Sequence, residues 1–311
     1  MTLAAPLEAR SAARRGLALV IFNPTAGRRR RRRLEAALAA LERRGWDCEL
    51  AETRARGDAE VLTRAALREG RAGAVLIAGG DGTINEAVNG ALAAGAEQLG
   101  GGVPLGIVPL GTANVLAAEL GMGGIPDAVA AIAAASTRAI WPGLADGRAF
   151  AMMAGAGFDA HVVAGVNPRW KRKVGKLAYV AEMLRQALRF RFPLYRVRVD
   201  GQWHEAGSVV VAKGRYYGGR FVLAPEARLD RPEFQVCLFT KRGRLALVLY
   251  ALALPLGLLP RLKSVKRLPA REVVIEGPEG DPVQGDGDVI AHLPVTIRVT
   301  ERPLPLLAPA G

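Results

Sequence analysis

The chain has 311 residues, half of them hydrophobic, and carries a formal net charge of +14 at pH 7. This composition excludes an intrinsically disordered protein, and the length is sufficient for two domains with separate cores. A charge of this sign is compatible with nucleic acid, an anionic membrane surface or phosphorylated ligands as partners.

Cysteine usage and hydrophobic runs favour a cytoplasmic protein. Cys48 and Cys237 form neither a metal-binding spacing nor a disulfide framework, as is typical of a reducing compartment. No stretch has the length and flanks of a secretory signal. The longest apolar run, residues 245–259, contains Pro255 and Gly257 and is shorter than the about 20 residues that a membrane-spanning helix needs.

Strands and helices are predicted to alternate near the N-terminus. The apolar run Leu17–Phe22 is typical of a buried parallel strand, and six arginines then lead into a helix that ends near Gly45. A second strand follows at residues 47–53, and after it a helix capped by Asp58. This order predicts a doubly wound parallel sheet, in which ligands bind at the carboxyl ends of the strands.

The third predicted strand, residues 74–78, is followed by Gly79-Gly80-Asp81-Gly82-Thr83-Ile84-Asn85-Glu86. Its glycines allow a sharp turn and Asn85 is expected to open a helix, so backbone N–H groups and the helix dipole favour a bound phosphate. The segment is neither the G-x-G-x-x-G fingerprint nor the P-loop with its lysine. Asp81 is unusual beside phosphates unless it bonds a ribose, a metal or a reacting hydroxyl. The alternative is a helix-capping residue in a glycine-rich turn.

Two further polar turns follow predicted strands. The first strand ends in Asn23-Pro24-Thr25-Ala26-Gly27, and a strand at residues 105–108 ends in Pro109-Leu110-Gly111-Thr112-Ala113-Asn114. Helices are predicted after it at residues 115–120 and 126–135. Because the carboxyl ends of parallel strands share one edge of a sheet, the three turns are expected to converge on a single nucleotide site.

The pattern changes near residue 138, where turns become frequent and a second domain is predicted. A β-hairpin at residues 138–144 and 149–154 is expected to precede a basic amphipathic helix at about residues 170–190. Further strands, an apolar helix and an acidic glycine turn follow. The strands are expected at residues 195–199, 208–213, 234–239, 273–276 and 295–299, the helix at 244–259 and the turn at Gln284-Gly285-Asp286-Gly287-Asp288. This arrangement predicts an antiparallel β-sandwich.

Taken together, these motifs resemble the lipid kinases that share the catalytic domain of diacylglycerol, sphingosine and ceramide kinases, including soluble bacterial members. The resemblance covers nearly the whole chain. It rests on Asn23-Pro24 with Gly27, on residues 79–86 with Asn89-Gly90, on Pro109-Leu110-Gly111-Thr112 with Asn114, on Gly175-Lys176-Leu177-Ala178-Tyr179, on Tyr217-Gly218-Gly219 with Leu223-Ala224-Pro225, and on Gln284 with Asp286-Gly287. Gly-Gly-Asp-Gly-Thr alone also fits NAD kinases, but the Asn-Glu-x-x-Asn-Gly continuation and the later motifs point to lipid kinases.

The resemblance implies an N-terminal α/β domain that binds ATP, at residues 1–138 with about 295–311, and a β-sandwich domain that receives a lipid, at residues 139–294. The C-terminal strand, assigned to residues 295–299, is expected to return toward the first domain. The expected reaction, in the cleft between the domains, transfers the γ-phosphoryl group of ATP to a hydroxyl of a diacylglycerol, ceramide or sphingoid-base lipid. The alternatives are a non-catalytic nucleotide-binding, membrane-associated protein and an NAD kinase.

The resemblance also implies roles for individual residues. Asp288 is expected to accept the proton of the lipid hydroxyl, with Asp286 supporting it or sharing that role. Asp81 is expected to organise Mg²⁺ and the phosphates rather than act as the base, and further metal ligands are left open. Nucleotide contacts are expected from Asn23, Pro24, Thr25, Gly27, Thr53, Gly79, Gly80, Asp81, Gly82, Thr83, Asn85, Gly111 and Thr112.

Four positions depart from the family pattern. Asp288 stands where a glutamate is usual, and Lys213 stands where an asparagine is usual. Residues 228–233 differ from the Asp-Asp-Gly segment at which some members hold a second, structural Mg²⁺, which leaves that metal site open here. Trp141-Pro142 replaces an acidic turn near the domain junction.

Besides the lipid substrate, an anionic membrane surface is an expected partner. The arginine run, the basic helix and the apolar helix favour peripheral, transient contact. The arginines also fit a solvated helix start, and residues 245–259 also fit a core-packed helix. No nucleic-acid reader motif accompanies the charge, so nucleic acid is not expected as a partner. A homodimer is left open.

Overall fold

The computed structural model describes residues 16–24, 28–95, 102–166 and 176–310. The chain divides into two compact units: Met1–Ile140 with Arg302–Gly311 form unit 1, and Trp141–Glu301 form unit 2. Within the described residues, no helix is long and apolar enough to cross a membrane.

Unit 1 is an α/β unit built on one mostly parallel sheet. Its strands are β1 (Leu17–Phe22), β2 (Asp47–Glu52), β3 (Ala74–Gly79), β4 (Leu105–Pro109), β5 (Thr137–Ile140) and the C-terminal strand β20 (Leu304–Leu307). Its helices are α1 (Arg28–Glu42), α2 (Asp58–Glu69), α3 (Asp81–Ala93), α4 (Val115–Glu119) and α5 (Ile125–Ala134). The strand order is β2-β1-β3-β4-β20-β5, and β5 is antiparallel to its neighbour.

The interior of unit 1 is packed from both faces of the sheet. All residues of β3 and β4 are buried, as expected for parallel strands covered on both sides. α2 and α3 approach so closely that a Cβ on Gly90 would overlap the Glu60 carbonyl oxygen. In register, Phe22 pairs with Ala78 and Gly79 pairs with Pro109, so β1, β3 and β4 end at one edge of the sheet.

Two helix starts in unit 1 differ from the sequence-based expectations, and a third decides between two alternatives. α3 begins at Asp81 instead of Asn85, because Gly80 alone supplies the extended cap residue and the rest of the glycine segment is helical. Asp58 is the first residue of α2 rather than its cap, a position that Gly57 occupies. The arginine run forms the first residues of α1, as the helix-start alternative predicts.

Unit 2 is an antiparallel β-sandwich with three α-helices in its described part. Its strands are β6 (Gly143–Ala145), β7 (Arg148–Phe150), β8 (Met153–Ala156), β9 (Tyr195–Val199), β10 (Gln202–Ala206), β11 (Ser208–Ala212), β12 (Tyr216–Tyr217), β13 (Phe221–Val222), β14 (Phe234–Phe239), β15 (Val265–Ala270), β16 (Glu272–Glu276), β17 (Pro282–Gly285), β18 (Asp288–His292) and β19 (Val295–Val299). The helices are α6 (Phe158–Gly165), α7 (Lys176–Arg189) and α8 (Arg244–Ala253), with a 3₁₀ helix at Leu259–Arg261.

Two six-stranded sheets form the sandwich. Their orders are β10-β9-β16-β19-β6-β7 and β15-β14-β11-β8-β17-β18, while β12 and β13 form a separate two-stranded ribbon. Inward residues alternate with outward ones, as in β9, where Tyr195 and Val197 are buried and Arg196 is exposed. Phe150 of one sheet stacks on Phe234 of the other, with ring centroids 5.9 Å apart. The predicted fold class, an α/β domain with a β-sandwich domain, is confirmed.

The predicted hairpin strand at residues 138–144 is wrong as a single strand. It is divided at Trp141-Pro142: β5 belongs to the sheet of unit 1, and β6 forms a hairpin with β7 in unit 2. Proline lacks the N–H that a continuous ladder would need, which explains a break at this point.

The C-terminal strand that returns to the first sheet is β20, and not residues 295–299 as expected. β19 pairs with β16 and β6 within unit 2. β20 lies between β4 and β5, with Leu304, Leu306 and Leu307 each about 1% exposed. The prolines beside these leucines cannot donate to the sheet, but the burial of three leucines outweighs the lost backbone donors.

The apolar segment at residues 244–259 is not a core-packed helix. α8 ends at Ala253, and its buried residues are Ala246 and Ala253. Leu245 is 89% exposed and Leu252 is 62% exposed. Of the two interpretations of this segment, peripheral contact with a membrane therefore remains.

Candidate functional site

Three polar turns of unit 1 are joined by hydrogen bonds at the carboxyl edge of the sheet. The Asn23 N–H donates to the Ala78 carbonyl at 3.2 Å, and the Asn23 side-chain amide donates to Thr83 Oγ1, also at 3.2 Å. The Leu110 N–H donates to the Gly79 carbonyl at 3.0 Å. The structure thus brings Asn23, Pro24 and the two glycine turns together; Thr25 and Gly27 lie outside the described residues.

The two glycine turns pack backbone against backbone. A Cβ on Gly111 would lie 2.6 Å from Gly80 Cα and 2.5 Å from Asn114 Oδ1, and a Cβ on Gly79 would lie 2.7 Å from Thr83 Cβ. A Cβ on Gly82, by contrast, would meet no atom within 4 Å. Gly82 therefore marks the open side of the turn, where the first N–H groups of α3 have no partner within their own helix.

Asp81 holds the second glycine turn in place. Its two carboxylate oxygens accept the N–H groups of Asn114, at 3.0 Å, and of Val115, at 2.7 Å. These amides lie at the start of α4, so the carboxylate caps a neighbouring helix instead of its own. This arrangement joins the N-termini of α3 and α4, and backbone amides at helix N-termini favour anions.

Other predicted nucleotide residues surround these turns. Thr53 is buried at the end of β2, and its N–H donates to the Phe22 carbonyl at 2.9 Å. Thr112 Oγ1 accepts a hydrogen bond from the Arg30 guanidinium at 3.4 Å. Asn85 lies within α3 and accepts the side-chain amide of Asn89.

The residues of this edge fit a phosphate-bearing ligand. Asn114 Oδ1 is buried without a hydrogen-bond partner among the described residues, although a buried amide oxygen normally has one; as an acceptor it fits a donor of such a ligand, for example a ribose hydroxyl, and not its phosphate oxygens. This amide oxygen lies beside the N-terminus of α3 and the Arg30–Thr112 pair. A resident metal fits less well: the described residues contain no group of three or more His, Cys, Asp or Glu side chains that could hold one. Mg²⁺ would therefore need phosphate oxygens among its ligands.

In unit 2 the acidic turn is a two-residue hairpin loop. Asp286 and Gly287 connect β17 to β18 with φ of 51° and 88°. Positive φ at both central residues is typical of a type I′ turn. The Asp286 carboxylate accepts three backbone N–H groups, from Ala151 at 2.6 Å and from Met152 and Met153 at 3.0 Å. Asp286 therefore anchors the turn, while Asp288 begins β18 and is partly exposed.

Asp159, which the sequence-based reasoning missed, supports the same turn from α6. Gln284 donates to its Oδ2 at 3.1 Å and accepts the Gly287 N–H at 3.1 Å. Burial raises the pKa of Asp159 to about 6, while the hydrogen bond from Gln284 opposes that shift. Burial, with Asp159 nearby, also raises the pKa of Tyr217. A carboxylate just after Gly157 at a strand–helix junction was the available signal.

Lys213 is the most unusual buried side chain of unit 2. It is 0% exposed, and its ammonium donates to the carbonyls of Arg228 at 3.2 Å, Arg231 at 2.5 Å and Glu233 at 2.9 Å. Burial lowers the pKa of Lys213 to about 8. Asp230 pairs with the Arg228 guanidinium at 2.6 and 2.8 Å. The loop at residues 228–233, which departs from the family pattern, is thus organised around the Lys213 ammonium group.

Two family models match the chain. Residues 17–143 match the diacylglycerol kinase catalytic domain, and residues 152–308 match the YegS C-terminal NAD kinase beta sandwich-like domain. A crystal structure of a diacylglycerol kinase from Bacillus anthracis is similar with a TM-score of 0.72, covering 94% of this chain and 97% of that chain at 23% identity. At that identity the likeness shows the fold.

Curated relatives are similar over much of the chain. A Pseudomonas aeruginosa protein named "Probable lipid kinase YegS-like" is 33% identical over 63% of this chain and 64% of its own length, slightly less than two thirds. The diacylglycerol kinase of Bacillus subtilis is 30% identical over 72% of this chain and 74% of that protein. The diacylglycerol kinase of Mycobacterium tuberculosis is 29% identical over 88% of both chains.

Proposed function

Because the chain belongs to the family of lipid kinases that join a diacylglycerol kinase catalytic domain to a YegS-type C-terminal domain, we propose that it transfers the γ-phosphoryl group of ATP to a hydroxyl of a lipid. Diacylglycerol is the first candidate acceptor because several relatives carry that name. Ceramide and sphingoid bases present a similar hydroxyl. Peripheral association of a cytoplasmic protein with the membrane is part of the proposal.

The observation that carries the nucleotide part of this proposal is the pair of glycine turns joined by Asp81. Backbone amides of α3, the Arg30 guanidinium and the unpartnered Asn114 Oδ1 lie at one edge of the sheet. Phosphoryl transfer requires positioning and neutralisation of phosphate charge, and amides with a guanidinium supply both. Mg²⁺, bound with the phosphates and with Asp81 nearby, would supply further neutralisation.

For the acceptor side of the reaction, we propose Asp288 as the general base that takes the proton of the lipid hydroxyl. A general base must reach the lipid hydroxyl, and the Asp286 carboxylate is already engaged by three backbone N–H groups. Asp286 thereby positions the turn that carries Asp288. Asp159 and Gln284 hold the turn from its buried side, through the Gly287 N–H.

The test is a screen of a lipid panel with radiolabelled ATP. Wild-type protein is expected to label diacylglycerol or a related lipid, and Asp288→Asn is expected to lower kcat by at least about 100-fold because the base is lost. Asp146→Asn is the matched control, since Asp146 lies in the β6–β7 turn with a φ of 47°, which asparagine tolerates.

Three outcomes contradict parts of the proposal. Full activity of Asp288→Asn removes the base assignment. Formation of NADP from NAD with no labelled lipid replaces the lipid kinase with an NAD kinase. ATP binding with no transfer to any acceptor favours a non-catalytic nucleotide-binding protein. Asp81→Asn should abolish transfer, because an amide cannot accept both N–H groups of the α4 terminus.

A further inference from the structure

Unit 2 exposes a large apolar surface on two helices. We name it the leucine face and define it by α7, α8 and the turn that follows α8. Its members are Val180, Met183, Leu184, Leu188, Leu245, Val248, Leu249, Leu252, Leu256 and Leu258. Leu245, Leu188 and Leu256 are 89%, 72% and 68% exposed. Most of the exposed large hydrophobic side chains of the described residues lie here, and clusters of this kind mark interaction sites.

The orientation of α7 is the reverse of an ordinary surface helix. Its apolar positions, spaced by three and four residues, face outward. Glu182 is 8% exposed, and its carboxylate accepts hydrogen bonds from Arg185 and Gln186. A Cβ on Gly165 would overlap that carboxylate, so Glu182 packs against α6. The helix therefore buries a satisfied polar group and leaves its leucines exposed.

α8 has the same character, and its N-terminal end meets the C-terminal end of α7. Its small residues Ala246 and Ala253 are buried, and its leucines face outward. The Arg244 guanidinium donates to the Leu188 carbonyl at 3.0 Å. An open groove lies between the helix ends, lined by Phe190, Phe192, Arg242, Gly243, Arg244 and Leu245. The two apolar faces therefore adjoin where the helix ends meet.

Charge decides between the partners that this surface could bind. Residues 240–264 contain Lys241, Arg242, Arg244, Arg261 and Lys263, and no aspartate or glutamate. A second copy of the chain would bring the same positive charge to the contact, whereas an anionic bilayer brings the opposite charge together with an apolar interior.

We propose that the leucine face is a membrane-docking surface, whose leucines enter the acyl boundary of an anionic bilayer while the basic residues contact lipid headgroups. This proposal rests on the proposed function, because it names the surface by which a lipid kinase reaches its substrate. Apolar burial supplies the attachment and the basic side chains supply preference for anionic lipid.

Vesicle flotation with purified full-length protein tests the proposal. Vesicles of phosphatidylcholine with about 30 mol% phosphatidylglycerol are compared with pure phosphatidylcholine, at about 0.1 M salt. The triple variant Leu245→Ser/Leu252→Ser/Leu256→Ser is expected to lose at least about tenfold in binding, since each leucine is largely exposed and removable without opening a core. Val61→Ser is the matched control: Val61 is 53% exposed on α2, and binding should not change.

A charge variant separates the two contributions. Lys241→Gln/Arg261→Gln/Lys263→Gln should lower binding to anionic vesicles by about tenfold and leave the weak binding to phosphatidylcholine as it was. Equal binding of wild type and the leucine variant overturns the proposal, as does a failure of wild type to bind anionic vesicles. A wild-type dimer that the leucine substitutions dissociate without a change in flotation assigns the surface to a second copy instead.

The docking proposal and the proposed function fail separately. Phosphorylation of a short-chain diacylglycerol that is supplied as dissolved monomers, below its critical micelle concentration, should be the same in wild type and the leucine variant, because no lipid interface is involved. If wild type phosphorylates no lipid in any form, the kinase assignment fails while the flotation result stands. If activity on the monomeric substrate falls with the leucine substitutions, these residues contribute to catalysis and the docking role is overturned.

Discussion

Replacing Lys213 by methionine should destabilise unit 2 substantially. The ammonium is fully buried and serves three carbonyls of the loop at residues 228–233. Methionine keeps a chain of similar length and apolar character but cannot donate to these oxygens. The substitution therefore isolates the polar contribution from that of packing.

Two opposing effects set the magnitude. Each hydrogen bond to a charged group contributes about 1.5–3 kcal/mol, so three such bonds contribute roughly 4–9 kcal/mol. Burial opposes this: the pKa of Lys213 falls from 10.5 to about 8, which corresponds to about 3 kcal/mol against the charged form. The difference leaves a net loss of about 3 kcal/mol as the expected effect, in the range found when one partner of a buried charged group is removed.

Differential scanning calorimetry checks this prediction. For domains of about 150–250 residues, 1 kcal/mol corresponds to about 2–4 °C, so the Tm assigned to unit 2 should fall by about 6–12 °C. Lys263→Met is the control, since Lys263 is exposed and should change the Tm by less than about 1 °C. A Tm of Lys213→Met within about 1 °C of that control would refute the reasoning. It would mean that the loop finds other donors, such as water, at no cost.

Two further predictions concern the candidate site. Asp159 is neutral in the folded protein below a pKa of about 6, against about 3.9 unfolded, so its contribution to stability is present below pH 4 and lost as the pH rises through 6. Between pH 4 and pH 7, the free energy of unfolding of Asp159→Asn, measured with urea, should therefore rise by about 3 kcal/mol relative to that of wild type. A difference that does not change with pH would contradict the burial of an ionisable carboxyl. Gly82→Ala should raise the free energy of unfolding by about 0.5–1 kcal/mol, because alanine favours the helix and meets no atom, yet weaken ATP binding by isothermal calorimetry. An unchanged ATP affinity of Gly82→Ala would mean that the phosphates bind elsewhere. Gly111→Ala should instead lower stability, because its Cβ would contact the Gly80 backbone.

Continuous apolar runs made much of the fold predictable. β1, β9 and β14 lie at the predicted residues, because β1 and β14 are largely apolar and β9 alternates buried apolar residues with arginines. The family resemblance drawn from the glycine turns and the acidic turn is confirmed by the matching models and relatives. The roles of the individual site residues stay predictions.

The misses have local physical causes. Glycines around Asp81 indicated a longer loop, but a helix needs only one extended residue at its cap, and Gly80 supplies it. β20 was not predicted, because prolines are unusual within strands, although its leucines are buried. Periodicity in α7 identified an apolar face correctly but could not say that this face is exposed, since that depends on where Glu182 finds its partners. Asp159 carries no spacing that links it to Gln284, which is distant in sequence.

The position of β20 has a consequence for how the protein is made. This strand lies in the interior of the unit 1 sheet, yet it follows all of unit 2 in the chain. All of unit 2 is therefore synthesised before the sheet of unit 1 acquires β20, its sixth strand in chain order. Until then β5 lacks the strand with which it pairs. Unit 1 therefore completes its folding only after unit 2 has been synthesised, because a non-local strand pair forms only when both strands exist. During synthesis, the nascent chain exposes the β4 edge that β20 later covers, and such an edge is where a chaperone would bind.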